Sequence, residues 1–512
     1  LKNMIDAVKK TAEEVKAKNL VVYPYAHLSS NLAHPDTALE YLAEAEATLK
    51  KDGFKVVRAP FGYYKEFELK VKGHPLSELS KEFKQVSFKE EEVYNSSQLL
   101  KEISRSKLDT SKLKENDHRI LGQKLDLFSF NESAPGMVFL HNNGLIIYNG
   151  LIEFLREEQR KLGYQEISTP QILDKKLWQI SGHWEKYKDN IFLTKYEGRD
   201  FAVKPMSCPG GILVYKSKQH SYKELPLRIS EFGIVHRQEL SGVLAGLFRV
   251  IKFMQDDAHL YCTEEQLEDE IRKVIMLIDK VYKKFGFEYE VELSTRPEKR
   301  IGSDNLWDKS EKILLNVLKK SKLKHKISKG TGAFYGPKID FHIKDSLGRN
   351  WQCGTIQLDF AMPERFELEY VTKDNKTERP IMIHRAIYGS LERFMGILLE
   401  HLNGNLPVWL SPVQVRVMNF TDKNLKASEK IIEKIKAEIP NARIDSDFRS
   451  TTINDKVRDA ELQKIPYVIV IGDKEEDSKT IAVRTRGESK PKFKVKLELF
   501  IKELKEKIEN RQ

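Results

Sequence analysis

Cysteine is scarce: three residues, Cys208, Cys262 and Cys353, in a chain of 512. That number offers no disulfide framework, and a reducing cytoplasm is the expected compartment. No uninterrupted apolar run approaches the roughly 20 residues that a membrane helix requires, so no span is expected. The opening Leu1-Lys2-Asn3-Met4 has none of the charged start, apolar centre and small-residue cleavage site of a secretory signal. Because its first residue is not methionine, the complete gene product is expected to be longer. Internal repeats and low-complexity tracts are missing too. Neither a Gly-x-x-x-x-Gly-Lys-Ser/Thr loop nor an Asp-Gly-rich cradle occurs, so a bound nucleotide would not be held by the common loop routes.

What the chain does contain suits a folded enzyme. Its size exceeds that at which one hydrophobic core stops growing, and two to four domains are expected. Hydrophobic residues make up 40% and aromatics 10%, against 32% charged, a balance that disordered chains lack. The cationic excess, 87 minus 76 or +11, is compatible with a polyanionic partner and equally with lysine-rich solvated faces.

Apolar spacing at Met4, Ile5, Val8, Ala12 and Val15 predicts a helix, followed by a strand at 20–23. A second helix from Pro35 through Leu49 and a strand at 54–57 complete a small α/β unit. From about Phe83 to His118 the chain is polar and lysine-rich, which marks a boundary. A second domain begins near Leu121, with amphipathic helices at 150–162 and from a Thr263/Gln266 capping box to about Phe285. Strands are expected at 289–294, 339–343 and 354–360. After Pro407 the texture becomes regular α/β, with strands at 413–418, 442–444 and 467–471 and helices at 425–439 and 452–463. The very apolar 467–471 run reads as a buried parallel or mixed strand.

The chemistry concentrates between Phe201 and Cys262. Arg228, Glu231, His236, Arg237, Glu239 and Arg249 precede Gln255, Asp256, Asp257 and His259, a density of polar groups that suits a catalytic sheet floor. Buried without partners, each would cost kilocalories, so a polar ligand is expected to supply some of them. Arg237 and Arg249 could grip phosphates as planar forks, or could be tied up in ion pairs with Glu231 and Glu239. Cys208, His259 and His384 form a borderline-soft donor set suited to zinc with one position left open. Spacing alone does not bring them together, and a buried cysteine with two locally satisfied histidines is the plainer alternative.

The strings Met206-Ser207-Cys208-Pro209-Gly210, Arg228 through Gly242, Gln255-Asp256-Asp257-Ala258-His259, Gly332 through Lys338, Trp351 through Phe360 and His384 through Arg393 closely resemble threonyl-tRNA synthetase of archaeal type. With the terminal domain, the resemblance covers roughly Leu121 onward. It implies an α/β multidomain protein: a class II antiparallel catalytic sheet with helices over 119–406 and an α/β anticodon-binding domain over 407–512. Pro170 would fall in a first motif at a homodimer interface, Arg228 to Arg249 in the second, and Gly389 to Arg393 in the third. The implied reaction is ATP-dependent ligation of L-threonine to tRNA(Thr) through threonyl-adenylate. Arg237 would meet the α-phosphate, Arg393 the γ-phosphate and Arg249 the phosphates generally, with Glu239 on the Mg2+ side. Cys208, His259 and His384 would bind one Zn2+ per chain, and Gln255, Asp257, Tyr335 and Gln357 would line the threonine pocket. Zinc ligation of the amino and hydroxyl groups would then reject valine, which packing alone separates poorly. A structural zinc with a fourth protein ligand is the alternative.

Serine defeats such a filter and calls for a hydrolytic second sieve. The segments Tyr23 through Ser30, Pro60 through Lys65 and Lys72 through Glu78 resemble the archaeal-type editing domain, itself similar to D-aminoacyl-tRNA deacylases, and assign His27, Tyr64, Lys65 and Glu78 to its pocket. Residues 1–82 would be an editing-like domain lacking its front, where the family has a lysine-bearing segment; weakened seryl-tRNA hydrolysis is expected, with a separate editing factor able to compensate. Residues 83–118 would form a charged linker. In the terminal domain the resemblance points to Lys456, Arg458, Arg484 and Arg486 as tRNA contacts. A non-catalytic paralogue should have lost an arginine or a zinc ligand, and a plain RNA-binding protein would need neither set.

Overall fold

The computed structural model describes residues 1–25, 35–61, 113–345 and 348–512, apart from the Lys186 side chain. The chain divides into two compact units, Leu1–Ser96 and Ser97–Gln512.

In the first unit, α1 (Lys2–Glu14), β1 (Asn19–Val22), α2 (Pro35–Lys51) and β2 (Lys55–Arg58) follow the expected order. The strands pair in parallel, Asn19 opposite Lys55, which requires a crossover such as α2. Ile5 of α1, Leu49 of α2 and Val56 of β2 make the small core. His27, Tyr64, Lys65 and Glu78 lie outside the described residues.

The second unit opens with α3 (His118–Lys124) and α4 (Asn142–Lys161). Helix α3 begins at His118, the last residue of the polar stretch. Asp117 caps α3 through the Arg119 N–H, and His118 is buried against Phe248. A two-residue strand, β3 (Gln165–Glu166), and α5 (Cys208–Lys216) precede the long hairpin of β4 (Leu227–His236) and β5 (Lys252–Cys262). Then come α6 (Glu264–Lys284), β6 (Tyr289–Ser294), α7 (Asp304–Lys320) and β7 (His325–Ser328). The run closes with β8 (Lys338–Lys344), β9 (Asn350–Asp359), β10 (Ile381–Ala386) and α8 (Leu391–His401).

These strands form one sheet of eight in the order β7-β6-β8-β9-β10-β5-β4-β3. The six central strands are antiparallel, while β7 on β6 and β3 on β4 are parallel, so the sheet is mixed at both edges and not antiparallel throughout. Helix α6 buries Leu267, Ile271, Val274, Ile275, Ile278, Val281 and Tyr282, the stripe its 3.6-residue period predicts. Each such side chain contributes about 1.5–3 kcal/mol of burial. At its start the Gln266 side chain accepts the Thr263 N–H at 3.1 Å.

A further five-stranded sheet comprises β11 (Val415–Asn419), β12 (Ile444–Asp447), β13 (Tyr467–Ile471), β14 (Ile481–Thr485) and β15 (Lys492–Val495). Its order is β12-β11-β13-β14-β15; β13 pairs in parallel with β11 and antiparallel with β14, as its unbroken apolar run suggests. Helices α9 (Leu425–Glu438), α10 (Ile453–Leu462) and α11 (Leu497–Glu509) cover it. The two sheets have separate hydrophobic cores. They nonetheless belong to one compact unit: Trp409 packs on Phe154, Arg511 lies over the Trp409 ring and pairs with Glu157, and Arg486 donates to the carbonyls of Lys464 and Leu406. No helix among the described residues is long and apolar enough to cross a membrane.

Candidate active site

Strand pleating sorts the polar residues of the central sheet. Successive side chains point to opposite faces, so Gln255, Asp257 and His259 of β5 share one face while Asp256 and Ala258 share the other. Register extends the first face: His259 sits opposite His384 of β10, and His384 opposite Gln357 of β9. Thr355 and Asp359 follow from the alternation of β9. The floor of the site is therefore built from three adjacent strands, with Gly233 of β4 beside Gln255. A Cβ at Gly233 would stand 2.2 Å from Ser207 Oγ, so only glycine admits the chain carrying Cys208 so close.

One end of this face is a cavity of about 160 Å3 lined by Arg237, Glu239, Arg249, Gln255, Gln352 and Arg393 among others. Arg237 donates through Nε to the Pro205 carbonyl at 3.1 Å and through Nη2 to Gln255 Oε1 at 3.4 Å, and lies 5.1 Å from the Phe253 ring centroid. Arg393, in the first turn of α8, donates to the carbonyls of Phe248 at 2.8 Å and Gln352 at 2.9 Å. Burial lowers its pKa, yet a guanidinium keeps its charge at any physiological pH. Both forks are thus aimed before any ligand arrives. Arg249 differs: it is exposed and paired with Glu239 at 2.9 Å, the ion-pair alternative raised by the sequence.

At the other end, the ligand atoms of Cys208, His259 and His384 lie within 4.8 Å of one another, and all three residues are buried. A thiolate and two imidazoles are the donors a zinc-type ion takes, and no fourth protein ligand joins them among the described residues. The set fits a divalent ion with an open position. Burial, with Asp257 and Asp359 close by, holds the Cys208 thiol well above its ordinary pKa; burial and the neighbouring His384 keep His259 neutral. Asp257 is pushed up to about 6 by burial, partly offset by Arg237. The Tyr335 ring lies 5.2 Å from that of His384, and Gln357 donates to the Gly336 carbonyl at 3.4 Å. A second cluster, Asp117, His118 and Glu400, has no such opening. His118 Nδ1 meets Glu400 at 2.7 Å and Nε2 accepts the Leu247 N–H at 3.0 Å, leaving neither ring nitrogen for an ion.

Several candidates find their partners inside the protein. Arg228 forms a two-pronged pair with Glu270, both contacts 2.6 Å. Glu231 accepts from Lys204 at 2.8 Å and from Thr169, not from Arg237. Asp256 faces the opposite side, where it accepts the N–H groups of Ile387, Tyr388 and Gly389 at 2.7–3.0 Å beside Arg385. That grip holds the turn before α8 at Gly389, whose φ of +73° and 2.4 Å Cβ approach to the Cys353 carbonyl demand glycine. In the terminal domain Lys456 is a correction: it is 2% exposed, and its ammonium binds Asn419 Oδ1 at 2.8 Å, so it cannot reach RNA. Arg486 is a second, since both terminal nitrogens of its fork hold main-chain carbonyls. Arg458 is exposed and Arg484 half-buried.

Two residues escaped the sequence reading. His183 is fully buried between Trp178 and Phe334; Nδ1 meets Ser181 Oγ at 2.7 Å while Nε2 has no partner among the described residues, and burial lowers its pKa to about 3. Asp359 bonds His384, as described below. No spacing signal marks either one.

This combination of a largely antiparallel sheet, two positioned arginines and an open soft-metal set is that of a class II aminoacyl-tRNA synthetase core. Residues 192–402 match the family described as tRNA synthetase class II core domain (G, H, P, S and T), residues 1–83 the Archaea-specific editing domain of threonyl-tRNA synthetase, and residues 414–507 an anticodon binding domain. The chain is 39% identical to the crystal structure of the RNA binding domain of threonyl-tRNA synthetase from Cryptosporidium parvum Iowa II, with a TM-score of 0.74, covering 76% of this chain and 98% of that one. It is 54% identical over 398 residues to the threonine–tRNA ligase of Clostridium botulinum (strain Kyoto / Type A2), which is 78% of this chain and 62% of that protein. For the Carboxydothermus hydrogenoformans ligase the values are 54% over 374 residues, 73% and 59%. The chain belongs to the threonyl-tRNA synthetase family, and it spans less than two thirds of the length of these bacterial relatives.

Proposed function

We propose that this chain ligates L-threonine to tRNA(Thr) at the expense of ATP, through threonyl-adenylate, as a threonine–tRNA ligase. The observation that carries the reading is the open Cys208–His259–His384 donor set on the same sheet face as Asp257 and next to the arginine-lined cavity. In this reading ATP lies along the cavity, with Arg237 on the α-phosphate and Arg393 at the γ-phosphate end. Positive charge held there neutralises what accumulates as the threonine carboxylate attacks the α-phosphorus and pyrophosphate leaves. Arg249 must release Glu239 to assist, and Glu239 would then be free to help hold the Mg2+ that accompanies ATP. A terminal adenosine hydroxyl of the tRNA next attacks the adenylate carbonyl, and AMP departs.

A Zn2+ held by Cys208, His259 and His384 would supply the amino and hydroxyl ligation that valine cannot match. Asp257 accepts the threonine hydroxyl hydrogen bond, and Gln255, Tyr335 and Gln357 close the pocket around it. Threonine-dependent ATP–pyrophosphate exchange tests the reading: zinc-loaded protein should exchange with threonine and far less with valine, and no exchange would overturn it. We further assign 1–82 to an editing-like domain whose pocket includes His27, Tyr64, Lys65 and Glu78, 83–118 to a linker, 119–406 to catalysis and 407–512 to the anticodon, with Arg458 and Arg484 as its RNA contacts. A cytoplasmic homodimer joined around Pro170, with a separate editing factor as its companion, completes the proposal.

The buried thiol sets a pH dependence. Metal uptake needs the thiolate, so a Cys208 pKa far above its ordinary value means that a proton leaves on loading. His259, already neutral, adds no slope. Apparent zinc affinity should therefore rise about tenfold per pH unit between pH 7.5 and 8.5 and weaken as pH falls. Titration calorimetry in buffers of different ionisation enthalpy measures the released proton; a pH-independent affinity would contradict it.

A further inference from the structure

Asp359 ends β9 with its side chain wholly out of solvent. Its two oxygens do different work. Oδ1 accepts the backbone N–H groups of Ala361 at 2.8 Å and Met362 at 2.9 Å, at the start of the short helix Ala361–Arg365. Oδ2 lies 2.8 Å from His384 Nε2. Asp359 is not among the clustered donors, so its contact is with the histidine and not with the ion site itself.

Resting on the zinc reading above, we infer that Asp359 is a positioning residue that fixes the tautomer of His384. An oxygen that only accepts hydrogen bonds obliges Nε2 to carry the ring proton, which leaves the Nδ1 lone pair free for a metal. The two main-chain donors on Oδ1 prevent the carboxylate from turning. Neutral imidazole has two tautomers, and only this one presents the coordinating nitrogen; the other would put a proton where the ion belongs.

Asp359→Asn separates this role from simple helix capping. Its amide oxygen can still accept from Ala361 and Met362, and flipping the amide would set NH2 against two N–H donors. The NH2 group therefore faces His384 Nε2 and makes it an acceptor, which places the ring proton on Nδ1. The 512-residue chain, stripped of metal and titrated with Zn(II) against a chromophoric chelator, should bind about 10- to 100-fold more weakly in D359N than in the parent. The melting midpoint of the metal-free protein should not change. With Co(II), the thiolate charge-transfer band of Cys208 should require correspondingly more cobalt to appear. Equal zinc affinity in the two chains would overturn the inference, as would a fall in metal-free stability with affinity intact, which would leave capping alone. A parent chain that binds no zinc would overturn the functional reading along with it. On the unaltered zinc-loaded protein, histidine-selective 15N spectra, with His384 assigned through His384→Asn, should show protonation at Nε2; a proton at Nδ1 would refute the proposal even if D359N failed to fold.

Discussion

Arg237→Ala is expected to lower threonine-dependent pyrophosphate exchange by about 10^2- to 10^3-fold, the scale of removing one pre-aimed donor from a transition state. The guanidinium stands in place without a ligand, braced by the Pro205 carbonyl and Gln255 and seated on Phe253. In the proposed reaction it would need no reorganisation as charge builds on the α-phosphate. The loss should appear equally in kcat and kcat/KM, because the interaction strengthens only in the transition state. Arg237→Lys should recover only part of it, since an ammonium cannot span two acceptors as a planar fork does. Steady-state exchange with a thermal melt as control measures both. A mutant that raised only the KM for ATP would show that Arg237 contributes ground-state binding alone.

Cys208→Ala should be more severe for choice of substrate. In the proposed reading, the remaining pair of histidines would not retain an ion against a chelator without the sulfur, and the pocket would lose what distinguishes a hydroxyl from a methyl group. The threonine-to-valine ratio of kcat/KM is expected to fall by about 10^3-fold or more, chiefly through loss of threonine activation; sites built to bind a hydroxyl reject its isostere by about 10^4. Cys262→Ala is the matched control. It too is buried, but it packs within the main hydrophobic core and lies outside the donor set. It should keep its metal and its selectivity at a modest cost in stability. Equal metal content in Cys208→Ala and the parent, by elemental analysis, would contradict the assignment.

Periodicity made most elements legible. Strand β13 at Tyr467–Ile471 and the β6 alternation at Tyr289–Ser294 fell at the expected residues because each is short, apolar or strictly alternating, and bounded by turns. Helix α4 runs eight residues further towards its start than expected, from Asn142 and not Gly150, since its first turns mix polar and apolar positions. The soft-metal trio was readable through family likeness only: Cys208 opens a helix while His259 and His384 come from neighbouring strands, and no linear spacing encodes that register. Partnerships over long separations were hidden for the same reason. Glu270 quenches Arg228 from 42 residues away, and Asn419 takes Lys456 from 37. A lysine on a helix two residues before Arg458 reads as a tRNA contact, but its aliphatic stem follows Val457 and Ala460 into the interior.

Adjacent Asp256 and Asp257 serve opposite sides of one sheet: Asp256 clasps the turn that launches α8, whereas Asp257 faces the cleft. Frame alignment along β5 is accordingly a chemical variable. A one-residue insertion or deletion between Lys252 and Gln255 would leave the composition of the chain almost untouched yet move each of the two carboxylates to the opposite face. It would turn His259 towards the helices and expose Ala258 in its stead, dismantling both halves of the site in a single step.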